Sequence, residues 1–409
     1  MLNNTFAVPR RSLSKMRFQK RKIMNNKLSK IKRTAVFLAG IAAASIPTMA
    51  LADWSIRALG TLGGTISEAY DINNSGQVVG SYGTIGNYRA FITGPNGAGM
   101  SDLGTLGGKN SIATGINDSG QVVGSSSLGY FRTHAFITGP NGGGMNDLGF
   151  LSVHPGENND FEYSEAFAIN NSGQVAGTDG GEPYITAFIT GTNGIGLNGF
   201  TRFDQWNYSS ASGINDSGQV TGYLMNGTEN LTRPFITGPN GTGITVLENL
   251  GGSYSNANSI NNAGQVVGGS YLAGDTVYHA FITGPNGVGT TDLLDGQGGA
   301  FSYATDINDS GQVVGYLSTT DGGNSFLFSN NEMTDLSLLP AVIGAGWTNV
   351  VAQAINNNGQ IVGYGKFHGH TEAFLLSPFP VPEPQTYAML LAGLGLMGFM
   401  AHRRKVSAA

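Results

Sequence analysis

The stretch Asp71-Ile72-Asn73-Asn74-Ser75-Gly76-Gln77-Val78-Val79-Gly80 sets the pattern of the chain. Its core, Ile-Asn-x-x-Gly-Gln, returns seven times, starting at Ile72, Ile116, Ile169, Ile214, Ile260, Ile307 and Ile355. Successive returns lie 44, 53, 45, 46, 47 and 48 residues apart, and each interval carries the same order of short apolar runs and glycine turns. Self-similarity at such a period marks stacked supersecondary units, none of which can bury its apolar face alone.

One unit reads as four strands: Ser67 to Asn73, Gln77 to Ser81, Arg89 to Thr93 and Met100 to Leu103, followed by the linker Gly104-Thr105-Leu106-Gly107-Gly108. In the first hairpin Asn73 can bond its own backbone two residues on. Asn74-Ser75 fits a type I turn, and Gly76 supplies the positive φ of a bulge. The third and fourth strands are joined by Gly-Pro-Asn-Gly at Gly94, Gly139, Gly238 and Gly284, varied as Gly191-Thr192-Asn193-Gly194. There proline fixes φ and glycine opens the positive-φ region. Four antiparallel strands per unit of this length predict an all-β fold, a seven-bladed β-propeller of four-stranded antiparallel blades.

The chain ends provide a second argument for closure. Trp54 to Gly64 (WSIRALGTLGG) matches a fourth strand and linker with no first three strands before it. The last unit ends at Glu372-Ala373-Phe374-Leu375-Leu376, a third strand with no fourth after it. Pairing the N-terminal strand into the last blade would seal the ring and leave no open sheet edge.

Charge divides the chain. Of 21 Lys and Arg, 11 lie in residues 1–52 and three in 385–409, leaving seven against all 26 Asp and Glu, a formal charge of −19 for the body. That field repels phosphate backbones, so nucleic acid is not an expected partner. With no cysteine, disulfides, thiolate metal sites and a Cys nucleophile are excluded. Gly numbers 64, far above the usual ~7%, and marks turns and closely packed strands.

Lys27 to Arg33 is basic, Thr34 to Ala50 is small and apolar, and Ala50-Leu51-Ala52 has the A-x-A form. Residues 1–52 therefore read as a signal peptide cut after Ala52 by signal peptidase, with Ala50 and Ala52 as its recognition residues. Met24 would open a leader of more usual length, and the true start is expected there. The domain plan continues with the repeats at 53–377, a proline-rich linker at 378–385, an apolar segment at 386–401 and a basic tail at 402–409.

Two resemblances sharpen this. With His134-Ala135-Phe136 and His279-Ala280-Phe281 on the third strand, the linker at Leu103 to Gly108 and the repeated Ile-Asn-x-x-Gly-Gln, the body resembles the HAF repeat family of bacterial exported proteins. Arg89, Thr186, Arg233, Ser325 and Glu372 replace the His elsewhere, so the imidazoles cannot form an obligate ligand ring. The resemblance implies fold and export but no activity. Pro382-Glu383-Pro384, the apolar run Thr386 to Ala401 and Arg403-Arg404-Lys405 together look like a PEP-CTERM sorting signal. That resemblance implies processing by an exosortase in a Gram-negative organism that makes exopolysaccharide. The 16-residue run is marginal for a membrane span. The basic cluster stays cytoplasmic by the positive-inside rule, so the chain is held transiently at the inner membrane with its body outside.

Chemistry is harder to find. Variable loops between second and third strands share one end of the units, joined by an insertion with His154, Glu157, Asp160 and Glu162. Tyr88, Tyr130, Phe131, Tyr184, Tyr271 and Tyr278 on these loops are candidates for stacking on sugar rings of an extracellular polysaccharide. The competing reading packs them at loop bases. Asp71-x-Asn73-x-Ser75-Gly76 and Asp306-x-Asn308-x-Ser310-Gly311 resemble the start of a calcium loop, but Tyr82 and Leu317 stand where the bidentate Glu belongs. His368-x-His370 lacks a third ligand. No cofactor or metal is expected. No G-x-S-x-G or H-E-x-x-H motif is present. The expected role is a non-catalytic exported component of the surface or matrix. The alternative is a glycoside hydrolase or lyase assembled from distant loops such as that bearing Glu157, Asp160, Glu162 and Glu165.

Overall fold

The computed structural model describes residues 54–129, 132–151, 163–181, 184–200, 205–295, 301–319 and 322–379. The signal peptide with Ala50 and Ala52, the sorting motif (Pro382, Glu383, Pro384, Arg403, Arg404, Lys405), the acidic insertion and the candidates Tyr130 and Phe131 lie outside them. Among the described residues no helix is long and apolar enough to cross a membrane, and segment 386–401 is not among those residues.

The body is all-β and propeller-like. In the first unit the strands are Ile66–Ile72, Val78–Thr84, Asn87–Gly94 and Ala98–Gly104, paired antiparallel in chain order. The same meander recurs from Ser111–Ile116, Tyr163–Ile169, Tyr208–Ile214, Gly251–Ile260, Ser302–Ile307 and Thr348–Ile355, the first strands of the other six units. The last unit takes its fourth strand from the other end of the chain. Trp54–Ala58 pairs antiparallel with His370–Pro378, matching Trp54 to Pro378, Ile56 to Leu376 and Ala58 to Phe374.

Apolar packing lies between units rather than within them. Val79, Ala90 and Ile92 of the first unit pack with Ala113, Ile116, Val122 and Phe136 of the second. Ala69, Ile72, Val78 and Phe91 pack in the same way with Ala354, Val362, Ala373 and Leu375 of the seventh. The third-strand phenylalanines Phe91, Phe136, Phe188, Phe235, Phe281, Phe326 and Phe374 are fully buried. Each contributes roughly 2 to 3 kcal/mol by removing its ring from water.

Polar links join the same neighbours. The first-strand Ser67 accepts from the Ala373 N–H of the seventh unit at 2.9 Å, as Ser111 does from Ala90 and Ser164 from Ala135. Ser255 is the exception, with a buried hydroxyl and no partner among the described residues. The preceding unit has Pro234 in place of the alanine, and proline has no N–H to offer. The His of the HAF triplet is a clasp between third and fourth strands: His134 Nδ1 meets Asp147 at 2.9 Å and His279 Nδ1 meets Asp292 at 2.7 Å. Arg89 with Asp102 and Asn324 with Asp335 do the same work, so the residue at the His position of the sixth unit is Asn324 and not Ser325, which stands at the alanine position.

One local expectation about the turns needs correction. In the Gly-Pro-Asn-Gly turn the Asn, as well as the following Gly, takes positive φ: 52° at Asn96 and 68° at Gly97. Asn tolerates that region because its short side chain bonds locally. The sixth unit lacks this turn and inserts a short helix, α1 (Pro340–Gly344), before the seventh.

Candidate functional site

The repeated asparagine does more than close its own hairpin. Asn73 Oδ1 accepts from the N–H groups of Ser75 and Gln77 at 3.1 and 2.9 Å, which makes the predicted Asx turn. Its Nδ2 donates to Gln77 Oε1 and to the Asn117 carbonyl of the next unit. Asn117, Asn170, Asn215, Asn261 and Asn308 each donate to the next Asn carbonyl in turn, and Asn356 donates back to Asn73. All seven bonds are 3.0 to 3.1 Å, so the cycle returns to its start.

A second cycle runs one residue further on, through Asn74, Asp118, Asn171, Asp216, Asn262, Asp309 and Asn357. The backbone N–H of each donates to the side chain of the next at 2.9 to 3.0 Å, and Asn357 donates to Asn74. Asn and Asp alternate except where Asn357 meets Asn74, so no two carboxylates are adjacent, and Asn amides donate to the carboxylates between them. Like charges on neighbouring units would repel.

Inside these cycles the ends of the seven first strands enclose a polar channel cavity of about 280 Å³. Asp71 and Asp306 lie in its wall. Asp71 takes the N–H of Ile72 and, from the next unit, that of Ile116 at 2.7 and 2.8 Å. Asp306 takes the Ser259 hydroxyl and the Ile355 N–H at 2.6 and 2.8 Å. Backbone and hydroxyl donors from neighbouring units thus occupy the carboxylates that had suggested a calcium loop. Among the described residues no group of three or more potential metal ligands converges.

Protein surrounds both carboxyls, and their remaining exposure is to the channel rather than to bulk water. Burial, reinforced by the charge of Asp306, pushes the Asp71 carboxyl up to about 8 against the pull of its two N–H donors. Burial raises Asp306 to about 6. A raised carboxyl keeps its proton in the folded state after the unfolded chain has released it, so stability falls as pH climbs from about 4 through these values. We expect the unfolding free energy from urea titration to drop between pH 5 and pH 8, by on the order of 1 kcal/mol per pH unit for each carboxyl held protonated. The double substitution Asp71→Asn, Asp306→Asn should flatten that drop; an unchanged slope would show that these groups do not cause it.

The opposite end of the units carries the variable loops. Tyr88 lies there, its N–H on Asn110 and its ring touching no other ring among the described residues. Tyr184 opens the strand Tyr184–Thr190. Tyr271 and Tyr278 come together, with ring centroids 5.0 Å apart. Tyr278 is buried and its hydroxyl bonds Asn256, so that ring is a packed base rather than a free ligand contact. Gly269 makes room for it: a Cβ there would stand 2.3 Å from the Tyr278 ring. The sequence pattern missed Tyr254, Phe301, Tyr303 and Tyr316, which extend this cluster.

Residues 380–405 match the PEP-CTERM protein-sorting motif. The chain carries an exosortase sorting signal. Such a signal marks a protein for export to the cell envelope or surface and for processing by exosortase. Residues 284–373 match a second family, described as protein of unknown function (DUF3466). No curated protein matches the chain. Similar solved structures include the β-propeller domain of the Trilobed protease from Pyrococcus furiosus, at 10% identity over 76% of this chain and 95% of that one, TM-score 0.47. Oligogalacturonate lyase in complex with manganese matches at 11% over 80% and 93%, TM-score 0.48. Puromycin hydrolase matches at 12% over 77% of this chain and 52% of its own length, TM-score 0.52. At such identities only the fold is comparable.

Proposed function

We propose that the chain is an exported seven-bladed propeller of the HAF repeat type, released toward the surface or extracellular matrix by exosortase. There it acts as a non-catalytic binding or structural component, its variable-loop end contacting polysaccharide. The observation that carries this reading is the sorting motif at 380–405 taken with where the anchored strand leaves the body. Ser377 Oγ accepts from Gln360 of the last hairpin turn at 3.2 Å, so the strand runs out at the hairpin-turn end. A chain tethered through residues beyond Pro378 turns that end toward the membrane and its variable loops away from it. Loops on a stereotyped scaffold are where binding concentrates.

Mass spectrometry of the secreted protein from a host with an active exosortase should find a C-terminus upstream of residue 386. Substituting Pro382, Glu383 and Pro384 together by Ala should leave the full-length chain in the membrane fraction, with secreted protein falling at least tenfold. A released form that still carries Arg403-Arg404-Lys405 would overturn the processing step. New reducing or unsaturated ends on host exopolysaccharide, made by the purified protein, would replace the binding role with an enzymatic one.

A further inference from the structure

We propose that five aromatic rings of the fifth and sixth units, packed around the buried Tyr278 as their base, form a stacking platform for a neutral pyranose chain. The inference rests on the reading of the loop end as a polysaccharide-binding face, and it names the residues and the class of sugar. Tyr254, Tyr271, Tyr278, Phe301, Tyr303 and Tyr316 form one continuous surface, with successive ring centroids between 5.0 and 6.5 Å apart. Tyr278 stacks on Phe301 and Tyr303 on Tyr316, at interplanar angles of 19° and 27°. The first of these stacks joins the fifth unit to the sixth, and the second lies within the sixth.

The cluster is not simply core. Tyr254 and Phe301 are each 43% exposed, although rings of this size are usually buried when a monomer can bury them. The hydroxyls of Tyr254, Tyr271, Tyr303 and Tyr316 have no partner among the described residues, whereas that of the buried Tyr278 is bonded to Asn256. Exposed ring faces beside free hydroxyls suit a ligand that alternates C–H faces with hydroxyl groups, which is the chemistry of a sugar ring.

Charge narrows the class. Burial raises the phenols of Tyr254, Tyr278 and Tyr303, so the platform is uncharged near neutral pH. The flanking charges offset each other: Arg233 donates through Nη1 to the Ser253 and Thr232 carbonyls, Asp275 accepts from the Ser253 N–H, and the two opposite charges interact beside that residue. With no net positive charge flanking the platform among the described residues and an acidic body around it, a polyuronate or another polyanion would be repelled.

Affinity electrophoresis of the secreted protein through gels containing dextran, galactomannan, xyloglucan or polygalacturonate tests this. Retardation is expected in at least one neutral gel, about tenfold weaker for Tyr254→Ala and for Phe301→Ala, and unchanged for Tyr88→Ala. Both substituted side chains are partly exposed, and circular dichroism should confirm that the variants fold. Full retardation of the Tyr254→Ala, Phe301→Ala double variant would overturn the platform while leaving carbohydrate binding at another part of the loop end. Retardation by polygalacturonate alone would overturn the neutral class. No retardation in any gel, or binding only to a proline-rich peptide, would overturn the polysaccharide reading and the platform together.

Discussion

Cysteines placed at Ser55 and Ser377 are expected to form a disulfide and to raise stability toward urea by about 2 to 4 kcal/mol. The two residues face each other where the N-terminal strand pairs with the last one. Directly opposed residues of an antiparallel pair stand ~4.5 to 5.5 Å apart at Cα, within the span of a disulfide. The chain has no other cysteine to compete. The bridge would close a loop of more than 300 residues, for which the chain-entropy argument gives roughly 6 kcal/mol, and engineered bridges deliver less. Intact mass under non-reducing conditions reports the bond, and urea midpoints with and without reductant report its effect. Deleting residues 53–59 should do the reverse by baring the edge of His370–Pro378, with a fall in the unfolding midpoint and edge-to-edge association. Free thiols in a folded, oxidised S55C/S377C variant would mean that the chain ends do not meet.

That strand exchange was legible because a fourth strand without its first three is visible as text, from Trp54 to Gly64. The hairpins were legible for a similar reason. Asn73, Gly76 and Gln77 answer local backbone demands, and a local demand writes itself into adjacent positions. What the same asparagine does across units was not legible, since its Nδ2 bond reaches a carbonyl 44 residues away and any turn-forming Asn looks alike in sequence. Asp71 and Asp306 had the same ambiguity: the spacing of a calcium loop is also the spacing of a turn, and the donors that occupy them come from the next unit. For the aromatic cluster the loops were the wrong place to look. Tyr254, Tyr303 and Tyr316 lie within strands, and Tyr278 fits only because Gly269 is cleared of a side chain. A vacancy of that kind leaves no mark on the residue that fills it.

Replacing one member of the inner asparagine cycle should cost more than any surface change. Asn215→Ala removes the acceptor that holds the Ser217 and Gln219 N–H groups and the donor that reaches Gln219 Oε1 and the Asn261 carbonyl. The site is 3% exposed, so water cannot replace those partners. Buried groups left without hydrogen bonds cost roughly 1 to 3 kcal/mol each, and a loss of about 3 kcal/mol or more is expected from urea titration. Asn215→Asp separates the two halves of the argument. It keeps the acceptor for both N–H groups but turns a carboxylate oxygen toward Gln219 Oε1 and the Asn261 carbonyl, so it should be worse than Ala at pH 7 and recover toward pH 4 as the carboxyl protonates. The neighbouring Asp216→Asn, on the exposed outer cycle, should change stability by less than about 1 kcal/mol. If Asn215→Ala also cost less than that, the cycle would be ornament on a body held by its interleaved phenylalanines. If it costs the larger amount, the inner cycle sets the spacing of neighbouring units, and a frame fixed from inside leaves the loop end free to vary in sequence without loss of fold.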